Sequence, residues 1–173
     1  MDAPELRTLQ APLKDRYKTE PQAALVTLRA QGALDSQKIA CKVETGRALA
    51  LAGLHPATGG TGAELCSGDM LLEALVACAG VTLKAVSTAL EIHLRNALVK
   101  AEGDLDFRGT LGVSKEAPVG FRAIRLAFEL DTDADQEKID QLLKLTERYC
   151  VVFQTLNQKP DLSVSLKRIR PES

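Results

Sequence analysis

The chain is predicted to fold as one α+β domain, in which two units of short strands are each followed by a long helix. Apolar and polar residues alternate with period two through ALVTLRAQG (24–32), LVKAEGDLDFR (98–108) and FRAIRLAFEL (121–130), as in half-buried strands. The segments 68–93 and 133–158 instead carry apolar residues at three- and four-residue steps, the pattern of helices with one face turned inward. The 173 residues fall within the ~100–200 of a single domain.

In chain order, residues 1–22 read as a polar leader and 23–173 as the domain. The first strand sets Val26, Leu28 and Ala30 against Thr27, Arg29 and Gln31. KIACKVET (38–45) repeats the pattern with Ile39, Cys41 and Val43, which predicts a hairpin, and RALALAGL (47–54) extends it until the glycines of ATGGTGAEL (57–65) break regular structure. A helix is expected from Gly68 to about His93, with Ser67 as its N-cap and Asp69 in its first turn. The second unit begins with Val99, Ala101, Gly103, Leu105 and Phe107 alternating against charged residues. A loop over 110–120 leads to a partner strand with Ile124, Leu126, Phe128 and Leu130 on one face. A second long helix follows, capped by Asp133 or Asp135 and ended by Pro160 ahead of a last strand, DLSVSLKR (161–168).

Composition narrows the function classes. Apolar residues make up 45% of the chain but aromatics only 3%, with no tryptophan, so Leu, Val and Ala fill the core and helices can approach closely. Twenty-two basic against 23 acidic residues, without long runs of either sign, argue against a dedicated nucleic-acid or membrane-surface binder. No stretch reaches ~18 uninterrupted apolar residues and the polar N-terminus has no apolar h-region, so a cytoplasmic location is expected. Four cysteines without CxxC spacing argue against a zinc site, and no cofactor is expected.

The cysteines differ in setting. Cys41 is in phase with Ile39 and Val43 and reads as a small core residue. Cys66 sits in the loop before the first helix. Cys78, on that helix, has Ala74, Ala77, Ala79 and Gly80 around it, which leaves room for a second backbone or a substrate; on spacing alone a core thiol and a catalytic one are equally supported. Cys150 lies where the apolar stripe of the second helix, with Leu143 and Phe153, meets its polar edge, with Glu147 and Gln154. A peroxide-reducing cysteine needs a nearby cation or helix N-terminus to favour its thiolate, and a second thiol to rescue it from over-oxidation.

SGDMLLEALVACAGVTL (67–83) resembles the reactive-cysteine helix of the OsmC/Ohr proteins, and ERYCVVFQTL (147–156) resembles their second-cysteine helix. The resemblance covers roughly residues 23–169. It implies an intertwined homodimer with cysteine helices at its centre, sheets wrapped around them and active sites at the interface. It also implies a thiol-dependent peroxidase for organic hydroperoxides. The residue matching Cys78 becomes a sulfenic acid and condenses with the one matching Cys150, and the disulfide is reopened by a dithiol, in one branch a lipoylated protein. The family's acid maps to Asp69 or Glu64. Its arginine has only Arg29 and Arg47 as counterparts, because the glycine-flanked Arg motif is absent.

The remaining polar candidates read mainly as structural. His55 precedes Pro56 in a turn, where a base for a thiol is the competing reading. His93 suits a helix C-terminus, and Glu147 and Arg148 an exposed helix edge. Tyr149 and Phe153 fit either a pocket for a hydroperoxide tail or the core. Two alternatives to the peroxidase stand: a non-catalytic binding protein for a small apolar ligand, and a thiol redox sensor.

Overall fold

The computed structural model describes residues 3–34, 41–43, 52–63 and 65–166. The strands of both predicted units join one antiparallel sheet. Its members are β1 (Leu25–Leu34), β2 (Cys41–Val43), β5 (Asn96–Asp106) and β6 (Ala123–Asp131), in the order β2-β1-β5-β6. The register pairs Leu25 with Asp106 through Ala33 with Leu98, and Asn96 with Asp131 through Asp104 with Ala123. A separate parallel pair, β3 (Ala52–Gly53) and β4 (Leu65–Cys66), leads into the first long helix.

That helix, α2 (Ser67–Ala89), lies against the inner face of the sheet. The alternation read from β5 is the reason: Ala97, Val99, Ala101 and Leu105 are buried while their neighbours are partly open. Opposite them α2 buries Leu72, Leu75, Val76, Ala79, Gly80 and Leu83. Each fully buried Leu or Val contributes about 1.5–3 kcal/mol, and the small Ala and Gly positions let helix and sheet meet closely. α4 (Gln136–Tyr149) and α5 (Val151–Asn157) cover another side of α2, with Leu142 fully buried. The outer face of the sheet carries the ion pairs Arg95–Asp131, Lys100–Glu129 and Arg125–Asp104, each at 2.5 Å. These pairs are solvent-exposed and add little to stability.

Several boundaries differ from expectation, each for a local reason. The N-cap of α2 is Cys66 rather than Ser67: its sulfur accepts the Gly68 N–H at 3.4 Å, and Ser67 is the first helical residue. The helix ends at Ala89, and Glu91 adopts φ 54°, so His93 lies beyond the helix instead of in its last turn. Phe107 and Arg108 leave the strand to begin a one-turn helix, α3 (Phe107–Thr110), because the buried Asp106 carboxylate accepts the Arg108 N–H at 3.1 Å. Of the two candidate caps for α4, Asp135 takes the role, accepting the Lys138 N–H at 2.9 Å, while Asp133 pairs with Arg95.

The second long helix is two helices. α4 stops at Tyr149, Cys150 is extended (φ −72°, ψ 105°), and α5 restarts at Val151. A buried threonine hydroxyl contributes, since Thr146 bonds back to the Leu142 carbonyl at 2.8 Å, a contact that bends helices. Beyond Pro160 the expected strand is not formed in residues 161–166, where Leu162, Val164 and Leu166 are 82%, 100% and 86% exposed. Ile39 and most of RALALAGL lie outside the described residues.

The leader contains a helix, α1 (Ala3–Thr19). Its Tyr17 is buried and donates its hydroxyl to the Ala57 carbonyl at 2.6 Å. Packing of α4 on α2 should depend on Leu142: Leu142→Ala is expected to cost about 2–5 kcal/mol of unfolding free energy in urea denaturation, and a loss under about 1 kcal/mol would contradict this placement.

Candidate functional site

Two thiols from helices far apart in sequence meet on one side of α2. Cys78 faces α4 and α5 and is half-buried, and Cys150 sits fully buried at the break between those two helices. The break explains the position of its sulfur. With extended backbone at Cys150, Sγ turns back to accept the Phe153 N–H at 3.5 Å and caps α5. Burial pushes the Cys150 thiol up to about 11; the Phe153 N–H works against this shift, and a hydrogen bond with the Cys78 thiol adds to it. Cys150 therefore holds its proton at neutral pH, while Cys78 is the sulfur that solvent can reach.

Beside the thiols lies a groove of about 350 Å³. Leu75 lines it from α2, one turn before Cys78, and Phe153 and Leu156 line it from α5. Phe121, Ile124 and Leu126 close the other side, and Arg122 and Asn157 supply its polar atoms. Phe153 both lines this groove and packs against the core. Tyr149 does neither: it is 57% exposed, with the Arg148 guanidinium 5.6 Å above its ring. The contribution of Phe121 and Arg122 was not singled out by the sequence pattern, which reads them only as the start of a strand. The available signal was Gly103, where a Cβ would stand 2.3 Å from the Phe121 ring. Only glycine on β5 lets that ring lie against the sheet.

Of the expected activating groups, Asp69 and the backbone of Arg29 fall within the described residues. Asp69 precedes Cys78 by nine residues, which on a helix is a half-turn offset and roughly 13 Å along the axis. It is paired electrostatically with His55; burial pushes its carboxyl up, with His55 opposing. Glu73, one turn on, is also pushed up, by burial and then by Asp69. Arg29 lies on β1 opposite Glu102 of β5. Arg47 and Glu64 lie outside the described residues.

His55 caps the short turn Pro56–Thr58, its Nδ1 accepting the Ala57 N–H at 3.0 Å, and its ring stacks on Phe107 at 4.9 Å. Among the described residues no group of three His, Cys, Asp or Glu side chains could hold a metal ion.

A family model described as OsmC-like protein matches residues 60–165, which include both thiols. Two solved structures share the fold. One is an OsmC-like hydroperoxide resistance protein from Jannaschia sp. CCS1, at 19% identity and a TM-score of 0.60, with 84% of this chain and 95% of that one covered. The other is an OsmC-like protein from Mycoplasma pneumoniae, at 16% identity and a TM-score of 0.54, covering 78% and 86%. No curated protein matches the chain.

The unequal thiols predict unequal reactivity. In reduced protein at about pH 8, mass spectrometry should find Cys78 carbamidomethylated by iodoacetamide well ahead of Cys150. Because a raised value keeps the proton on, the Cys150 rate should go on climbing from pH 9 to about 11. Equal rates at pH 8 would contradict the burial and pairing described.

Proposed function

The chain belongs to the OsmC-like family, and from that premise we propose that it is a thiol-dependent peroxidase that reduces organic hydroperoxides to alcohols through Cys78 and Cys150. The placing of a half-buried thiol next to a fully buried one, close enough to affect its ionisation, is the observation that carries this reading. Peroxide reaches Cys78 first. Its thiolate attacks the terminal peroxide oxygen, the O–O bond breaks, and the alkoxide takes a proton to leave as alcohol, with Cys78 oxidised to a sulfenic acid. Cys150 then attacks the Cys78 sulfur, the S–O bond breaks, and water leaves with the proton from Cys150. The disulfide formed is reopened by an external dithiol, such as a lipoylated protein, through thiol–disulfide exchange.

The groove beside the pair suits the alkyl part of such a substrate. Leu75, Ile124, Phe153 and Leu156 exclude water from a tail lying there, and the polar Arg122 and Asn157 border it. Cys150, held as a neutral thiol, is a poor nucleophile toward peroxide, and it resolves the sulfenic acid as its proton is given up to the departing water.

Homodimerisation belongs to the proposal. α2 leaves Ala74 and Val81 exposed on the same stripe as Cys78, although these are apolar residues of a core helix. The exposed alternation of Leu162, Val164 and Leu166 is a second apolar surface that a second copy would cover. In such a dimer the activating acid and arginine, for which Asp69 or Glu64 and Arg29 or Arg47 are the candidates, come from the partner copy. The cytoplasm, where thiols stay reduced, is the proposed compartment.

Consumption of cumene hydroperoxide with dihydrolipoate supplied tests the reading. Wild type should turn over many times, Cys78→Ser should fall to background, and Cys150→Ser should stop after about one equivalent with Cys78 over-oxidised. A wild type that consumes a single equivalent and then stops despite excess dithiol would make the protein a redox sensor, and a folded wild type that consumes none would remove the chemistry altogether.

A further inference from the structure

A second cavity, of about 400 Å³, opens at the N-terminal end of α2, where Cys66 and Gly68 line it. Its walls are mostly apolar, with Leu71, Leu105, Phe107 and Phe121 among them. Phe121 also lines the groove beside the thiols, so its ring is the partition between the two spaces. The polar side chains lining the cavity are Thr58, Ser67, Thr110 and, with its orientation fixed, His55. Its Nδ1 is occupied by the Ala57 N–H and its ring plane is set by the stack on Phe107. A neutral imidazole in that arrangement carries its proton on Nε2, which is then a donor.

The charge around the cavity selects among acceptors. Asp69 interacts electrostatically with His55, and Glu73 stands one turn further along the same face of α2. The Asp69 carboxyl near the imidazole disfavours an anionic guest and leaves a neutral acceptor favoured. Burial also holds the His55 imidazole below its ordinary range, with Asp69 opposing, which keeps it neutral at physiological pH.

We propose that this cavity binds a neutral, mainly apolar carbonyl compound, a ketone or aldehyde of medium chain length, through a hydrogen bond from Nε2–H of His55 to the carbonyl oxygen. The site is separate from the thiol chemistry and does not require it. Cavities of this size with mostly apolar walls and a few placed polar groups are the usual form of small-molecule sites.

The test uses the full-length reduced protein, titrated in a calorimeter with methyl heptyl ketone and, in parallel, with nonanoate of the same carbon count. Wild type and Cys78→Ser should bind the ketone equally, and nonanoate should bind about tenfold more weakly or not at all. His55→Ser keeps a side chain able to cap the Ala57 N–H but too short to reach a guest, and should weaken ketone binding about fivefold. Gly120 lines the cavity, and a Cβ there would meet nothing within 4 Å. Gly120→Phe should therefore fill the space, leave the circular dichroism and melting profile intact, and abolish binding. The proposal is overturned if wild type binds no ketone, if ketone and nonanoate bind alike, or if folded Gly120→Phe binds as well as wild type. Because peroxide turnover is not the readout, these outcomes are independent of whether the protein is a peroxidase.

Discussion

The close seating of α2 on β5 is the constraint on which the rest of the molecule depends. β5 presents Ala97, Val99, Ala101 and Leu105 to a helix whose own buried face includes Ala79 and Gly80. Side chains this small give up buried area per residue, and they recover it by shortening the distance between the two elements, so that Leu72, Leu75 and Leu83 become fully enclosed. With α2 pinned in this way, its other sides are directed outward at set angles: one toward α4 and α5, along whose stripe Ala74 and Val81 stay exposed, and one toward His55.

Sulfur serves structure as well as chemistry here. Cys66 caps α2 and Cys150 caps α5, each accepting a backbone N–H that a helix start would otherwise leave without a partner. Thiol sulfur is a weak acceptor, so each bond adds little energy, but at Cys150 it sets direction. A helix continuing through that position would carry its side chain past α2, whereas the break holds the sulfur beside Cys78. The cost is a short interruption of backbone bonding, bridged by Cys150 N–H to Thr146 and Gln154 N–H to Cys150.

The molecule keeps two spaces that share Phe121, one lined by Leu75 of α2 and Phe153 of α5 and one lined by His55. The ring can stand there only because residue 103 is glycine. The leader helix enters the same neighbourhood through Tyr17, whose hydroxyl holds the turn that His55 caps. Segments distant in the chain therefore converge on the N-terminal end of α2, and the titratable groups Asp69, Glu73 and His55 are set by that convergence rather than by the thiol pair.

Sequence alone determined the parts governed by local periodicity. The alternation in 98–106 and 123–131, the inward stripe of α2 and the helical character of the segments on either side of Cys150 are all legible, because one-face burial imposes a repeat of two or 3.6 on the residues themselves. The OsmC-like fold was legible too, from the motifs around those two cysteines. Only the tertiary structure decided what depends on residues far apart in the chain: the helix break that turns Cys150 toward Cys78, the pairing of Asp69 with His55, the ring of Phe121 over Gly103, and the docking of the leader through Tyr17. None of these leaves a periodic trace, since each is a contact between two single positions whose distance is set by the packing of whole elements and not by their own neighbours in sequence.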